Sequence, residues 1–169
     1  MNSARAAIYT AIIILCEVIA SPVVMAQSSE DLVGIVTAQQ IIDHDRIFRI
    51  YVNRYEPENE VVDYLQTQKD SLTLNIFFGN WCRESKKYIP GLMKLLQVVD
   101  SDLIEVKYIA VDFEKKNPDL FLNEFDIKYI PTVVVLKGNV EIGRIEEKPH
   151  QLIETDLVQI LKEASRNDD

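Results

Sequence analysis

The sequence predicts an α/β domain built around a mixed β-sheet. Strand-like apolar runs alternate with amphipathic helical stretches, and the last two strands follow one another directly through a tight turn. The chain has 169 residues, 47% of them apolar, which is the length of one domain with core enough to fill it.

Residues 27 to about 45 are polar and mixed, starting with Ser28-Ser29-Glu30-Asp31, and read as a mobile leader. Ile47-Phe48-Arg49-Ile50-Tyr51-Val52 is rich in β-branched and aromatic residues and reads as the first strand. Pro57 then opens a short helix through Val61, Val62 and Leu65, since proline is tolerated in a first helical turn. Leu72 to Phe78 is nearly continuous in apolar content, as a central strand buried on both faces requires. A helix starts at Cys82, and Leu103 to Val111 is the next strand. Asn117-Pro118-Asp119 supplies a cap and a proline for a helix that carries Phe121 and Phe125 at i, i+4 spacing. Thr132 to Val135, a turn at Lys137-Gly138-Asn139 and Glu141 to Ile145 make the closing hairpin. Ile153, Leu157, Ile160, Leu161 and Ala164 share one face of a final helix.

The amino-terminal 26 residues have the pattern of a secretory signal peptide. Arg5 gives a positive start, Ala11 to Ala20 is largely apolar, and Val24-Met25-Ala26 precedes a cleavage position at Gln27. A retained anchor needs ~20 apolar residues, and Glu17 and Pro22 interrupt this run. Leu15 rather than a small residue precedes Cys16, which argues against a lipoprotein. The expected organisation is signal peptide 1–26, N-terminal extension and first strand 27–55, and main domain 56–165. Export to a periplasm or the extracellular medium follows, without stable membrane insertion once the signal is cut.

Cleavage removes Cys16 and leaves Cys82 as the single cysteine, so no internal disulfide forms and the thiol is free for intermolecular chemistry. The net charge of −9 is unchanged by the loss of Arg5 and Glu17. An acidic chain is repelled by nucleic acid and by anionic membranes. Two histidines distant in sequence, His44 and His150, make no zinc pattern with one cysteine, and neither is placed by the predicted elements to activate Cys82 as a hydrolase nucleophile. No glycine loop suited to phosphate is present, and no cofactor or metal is implied.

The most informative segment is Trp81-Cys82-Arg83-Glu84-Ser85, directly after the central strand. A cysteine where a helix starts meets unpaired backbone N–H groups and the positive end of the helix dipole, both of which favour the thiolate, the nucleophilic form. Arg83 adds to that effect and Glu84 opposes it. Ser85, one turn on, can donate a hydrogen bond to the sulfur.

This W-C-x-x-S segment resembles the active site of the thioredoxin superfamily, and further landmarks agree over roughly residues 56–165. Pro90 stands eight residues after Cys82, where thioredoxins carry a helix proline, and Lys128-Tyr129-Ile130-Pro131-Thr132 is similar to the family's cis-proline segment. The resemblance implies a thioredoxin-like fold, with a central mixed β-sheet flanked by helices. It also implies a cis bond at Pro131 that sets Ile130 beside the nucleophile, with Trp81, Ile130 and Pro131 holding an extended substrate. Two positions depart from the family: Ser85 replaces the second cysteine, and Ile76 replaces the buried aspartate that assists proton transfer. Lys137-Gly138-Asn139 lacks the glycine pair and aspartate with which C-x-x-S glutaredoxins bind glutathione and iron–sulfur clusters.

The expected function is thus monothiol exchange with protein or small-molecule disulfides and thiols, Cys82 and Ser85 being the catalytic pair. The alternative is a redox-inert binding or chaperone module that uses the Trp81, Ile130 and Pro131 surface.

Overall fold

Strand β2 (Leu72–Phe78) is the middle strand of a five-stranded sheet that also holds β1 (Gly34–Val36), β3 (Ile104–Ala110), β4 (Thr132–Lys137) and β5 (Val140–Glu146), in the order β1-β3-β2-β4-β5, in a computed structural model that describes residues 31–114 and 123–167. Its alternation places Leu72, Leu74, Ile76 and Phe78 on one face and Phe77 on the other, and both faces are buried. Helix α4 (Arg83–Val99) crosses from the end of β2 to β3 (Ile104–Ala110), which runs parallel to β2. Strands β4 (Thr132–Lys137) and β5 (Val140–Glu146) complete the sheet in antiparallel fashion, joined by Gly138-Asn139 with Gly138 at φ +59°. Helix α5 (Ile153–Asn167) packs back on β5, burying Ile153, Leu157, Val158 and Leu161. The α/β thioredoxin-like architecture expected from the sequence is the architecture found.

The amino-terminal part differs from expectation in two respects. Residues 27–45 do not form a mobile leader throughout: Gly34–Val36 is strand β1, antiparallel to β3, and Ala38–His44 is helix α1. Thr37 and Gln40 form a reciprocal capping box at the start of α1, which buries Ile41. Residues 47–52 are not a strand but part of helix α2 (Arg46–Arg54). Asp45 caps α2 by accepting from Ile47 N–H at 2.7 Å, and Phe48 and Val52, spaced i, i+4, are its buried side chains. The Phe48 ring meets that of Phe78 at a centroid distance of 5.7 Å. Tertiary packing overrides β-propensity here because the apolar pair needed for the core has helical spacing.

Helix α3 (Asn59–Gln66) follows Pro57 and buries Val61 and Leu65 as expected. The proposed signal peptide and the helix start at Asn117-Pro118-Asp119 lie outside the described residues. Phe125, within them, packs on Phe77 at 5.8 Å. Among the described residues no helix is long and apolar enough to cross a membrane.

The principal core lies between the sheet and helices α1 to α5, and Glu154, at the start of α5, is fully buried. Glu154 accepts hydrogen bonds from the Tyr55 hydroxyl and from Glu58 N–H (3.1 Å), joining the end of α2 to the first turn of α5. The Tyr55 ring leans on Gly91, where a Cβ would come within 3.1 Å of it. Burial, reinforced by Glu154, pushes the Tyr55 phenol above its ordinary range, and burial alone does the same for Tyr108. Both groups are neutral in either state below about pH 10. Above that pH the unfolded tyrosines ionise first and the unfolded chain holds fewer protons, so their stabilisation, complete below about pH 10, is lost as pH rises toward the folded-state values. Urea unfolding measured between pH 8 and about 11.5 should show stability falling on the alkaline side, with a shallower fall in Tyr55→Phe and Tyr108→Phe; equal slopes in all three proteins would refute this.

The sheet edges are short or charged. Strand β1 has 3 residues. On β5, Arg144 forms a two-point ion pair with Glu141 (2.6 and 2.7 Å) and lies 3.5 Å from Glu146, and the β4–β5 ladder is interrupted at Val135/Leu136.

Candidate active site

The carboxyl end of a parallel strand followed by a helix start is where an α/β sheet presents groups to a ligand, and Cys82 is placed there. It is the N-cap of α4, with extended backbone at φ −79° and ψ 125°, and is half-buried and free. A turn closed by Cys82 N–H donating to Gly79 C=O (3.0 Å) brings the chain from β2 into the helix. Gly79 is required because the Trp81 indole folds over it: a Cβ there would lie 2.6 Å from the ring. Trp81 Nε1 donates to Val111 C=O at 2.8 Å, and its ring meets Phe113 edge-on at 4.9 Å.

The Cys82 thiol faces the carbonyl of Ile130 at 3.4 Å. Ile130 precedes Pro131 through a cis bond, so the segment that the resemblance set beside the nucleophile is beside it. The Ile130 side chain is buried with Phe77, Ile109, Val111 and Val134, and Pro131 C=O accepts from Glu147 N–H at 2.7 Å. The Cys82 thiol donates to the Ile130 carbonyl, and its sulfur makes no capping hydrogen bond to the N–H groups of the first turn of α4.

Ser85 is fully buried, and its hydroxyl oxygen accepts from Gly79 N–H at 3.2 Å. This contact ties the first turn of α4 to the end of β2, and the hydroxyl proton remains available for donation. Arg83 is exposed at the first helical position, and Glu84 is the acidic residue of the first turn. Ile76 is fully buried in the principal core. Pro90 lies inside α4, where its missing N–H removes one helical hydrogen bond. Among the described residues no group of three or more His, Cys, Asp or Glu side chains could hold a metal ion.

Two neighbours of the site carry no obvious mark in the sequence. Phe113 is 71% exposed beside Trp81. Asn80, almost completely buried, binds Leu32 N–H and faces His44, which the leader reading had kept away from the Cys82 loop. His150 lies elsewhere, its N–H bonded to Asp156 at the start of α5. A cysteine capping a helix opposite a cis-proline segment, on a sheet of this order, defines a protein of the thioredoxin-like thiol-site class. Residues 35–162 match the profile of a family described as thioredoxin, and the chain belongs to that family.

Solved structures similar to this chain include a protein of unknown function from Pseudomonas aeruginosa, 17% identical, covering 76% of this chain and 75% of that one at a TM-score of 0.47. Mitochondrial thioredoxin 3 from Saccharomyces cerevisiae is 22% identical, covering 67% of this chain and 97% of its own at a TM-score of 0.40. Thioredoxin O2 from Arabidopsis thaliana, in its oxidised state, is 16% identical, covering 62% and 85% at a TM-score of 0.42. No curated protein matches the sequence.

Proposed function

We propose that this chain is an exported monothiol member of its family that exchanges with disulfides through Cys82. The observation that carries the reading is the half-buried Cys82 thiol at the start of α4, 3.4 Å from the carbonyl of Ile130, with serine where a resolving cysteine would stand. In the reaction the Cys82 thiolate attacks one sulfur of a substrate disulfide. A new S–S bond forms between Cys82 and that sulfur, the substrate S–S bond breaks, and the departing thiolate takes up a proton. A second thiol, from the substrate itself or from a small molecule, then attacks the mixed disulfide and returns Cys82 as thiolate. The first route isomerises the substrate; the second leaves the substrate sulfur bonded to the small molecule, and a second molecule of that thiol then attacks there, releasing the reduced substrate and forming the small-molecule disulfide. Trp81, Ile130 and Pro131 hold the substrate chain, and Ser85 can donate to the sulfur as charge develops.

Intact-mass analysis of the exported protein tests both parts of this reading. The expected mass corresponds to a chain starting at Gln27 and, after exposure to oxidised glutathione, to one glutathione adduct that Cys82→Ala lacks. A mass that retains residues 1–26 would remove the export reading, and a folded wild type that forms no adduct would remove the exchange reading. The exposed Phe113 beside Trp81 favours the second reading, a surface that holds partner chains without redox chemistry; under it, Cys82→Ala keeps full cellular function.

A further inference from the structure

Each residue of the turn from Gly79 to Cys82 is tied to a different part of the molecule, and exchange chemistry alone gives no reason for the tie at Asn80. Asn80 is 4% exposed. Its Oδ1 accepts from Leu32 N–H at 3.0 Å, and its Nδ2 lies 3.4 Å from His44 Nε2. With the imidazole neutral and its proton on Nδ1, Nε2 accepts and the Asn80 amide donates. The next residue, Asp45, reaches Lys86 at 3.1 Å, with carboxylate and ammonium only 12% and 27% exposed. Lys86 is one helical turn past Cys82, on the same face of α4. The corner between α1 and α2 therefore grips the chain on both sides of the nucleophile, two residues before it and four residues after.

We propose that Asn80 is a positioning residue for Cys82, and that Leu32 and His44 act through it, so that the segment before α2 sets the geometry of the thiol. The inference rests on the reading of Cys82 as a reactive thiol. Without its carboxamide the turn loses its anchor at the second residue, and Leu32 N–H and His44 lose their common partner. The turn that holds Cys82 at the start of α4, with its sulfur 3.4 Å from Ile130 C=O, then loosens, and the thiol is held less of the time in the geometry that presents it to an incoming electrophile. A residue that only stabilised the fold would change how much protein is folded without changing how fast the folded thiol reacts.

The test is the rate of iodoacetamide alkylation at neutral pH. It uses the full chain carrying Cys16→Ser, at a temperature where circular dichroism shows every variant folded. Asn80→Ala is expected to react about fivefold more slowly, the factor that corresponds to one lost hydrogen bond. His44→Ala should be slowed in the same direction, whereas His44→Gln, which keeps an acceptor at similar reach, should recover the wild-type rate. Tyr55→Phe removes a hydrogen bond to Glu154 that involves none of the residues touching Asn80 or Cys82, and should leave the rate unchanged. The inference is overturned if Asn80→Ala matches wild type, or if Tyr55→Phe slows the thiol as much as Asn80→Ala does. Should Asn80→Ala not fold, the exposed His44 supplies the decisive pair, and equal rates for His44→Ala and His44→Gln would overturn it. A wild-type thiol inert to alkylation would remove the functional reading together with this one, while a reactive thiol indifferent to Asn80 and His44 removes this one alone.

Discussion

Ser85→Cys is expected to let Cys82 release its own mixed disulfide. The N-cap and third helical positions are separated by one turn, within the Cα span that a disulfide bridges, roughly 4.4–6.8 Å. A second thiol held there replaces a bimolecular step by an intramolecular one, so reduction of a protein disulfide at low external thiol should rise about tenfold or more. The wild type should instead accumulate the mixed disulfide and turn over only when thiol is added, and Cys82→Ala should do neither. The gain in Ser85→Cys stays partial because Ile76 is buried where the family places a proton-transferring carboxylate. There is also a cost to stability, since the Ser85 hydroxyl accepts from Gly79 N–H at 3.2 Å and sulfur is a weaker acceptor; about 1 kcal/mol is at stake. Insulin reduction followed side by side in the three proteins is the measurement. The same activity in all three would mean that the fold serves as a scaffold for binding.

Phe48→Ala should destabilise the protein by about 3–5 kcal/mol, a large part of the 5–15 kcal/mol typical of a domain. Phe48 is fully buried, and its ring contacts Phe78 of the central strand. Its neighbours on α2 point elsewhere: Ile47 is 41% exposed and Tyr51 53% exposed. Replacing either of these with alanine should change stability by less than about 1 kcal/mol. Urea denaturation of the three variants separates the cases, and similar losses for Phe48 and Tyr51 would contradict helical packing of this segment.

That contrast shows why α2 was hard to read from the sequence. Five of the six residues from Ile47 to Val52 favour strands by composition, and the discriminating facts are the Asp45 cap and the i, i+4 spacing of Phe48 and Val52. Strand β1 was concealed for the opposite reason, because 3 residues give no periodicity to detect. By contrast, β2 and the helix start at Cys82 were legible, since a long buried run followed by a W-C-x-x-S segment and a proline-containing helix leaves few alternatives. The cis bond before Pro131 was legible only through resemblance, as nothing local in Ile130-Pro131 sets it apart from a trans bond. Asn80 and His44 were not legible at all, because their contact joins residues 36 positions apart and depends on α1, which brings the histidine back to the loop.

The guarded edges of the sheet bear on how the proposed function would be carried out among client chains. A molecule that receives extended, partly unfolded chains works among sequences eager to add themselves to any open ladder of backbone hydrogen bonds. With β1 only 3 residues long and β5 carrying the Glu141–Arg144–Glu146 charges, the lateral rims offer poor templates for growth. Under the proposed exchange function, a guest chain would pair at the cis-proline segment, beside a thiol from which it can leave again, instead of seeding a polymer.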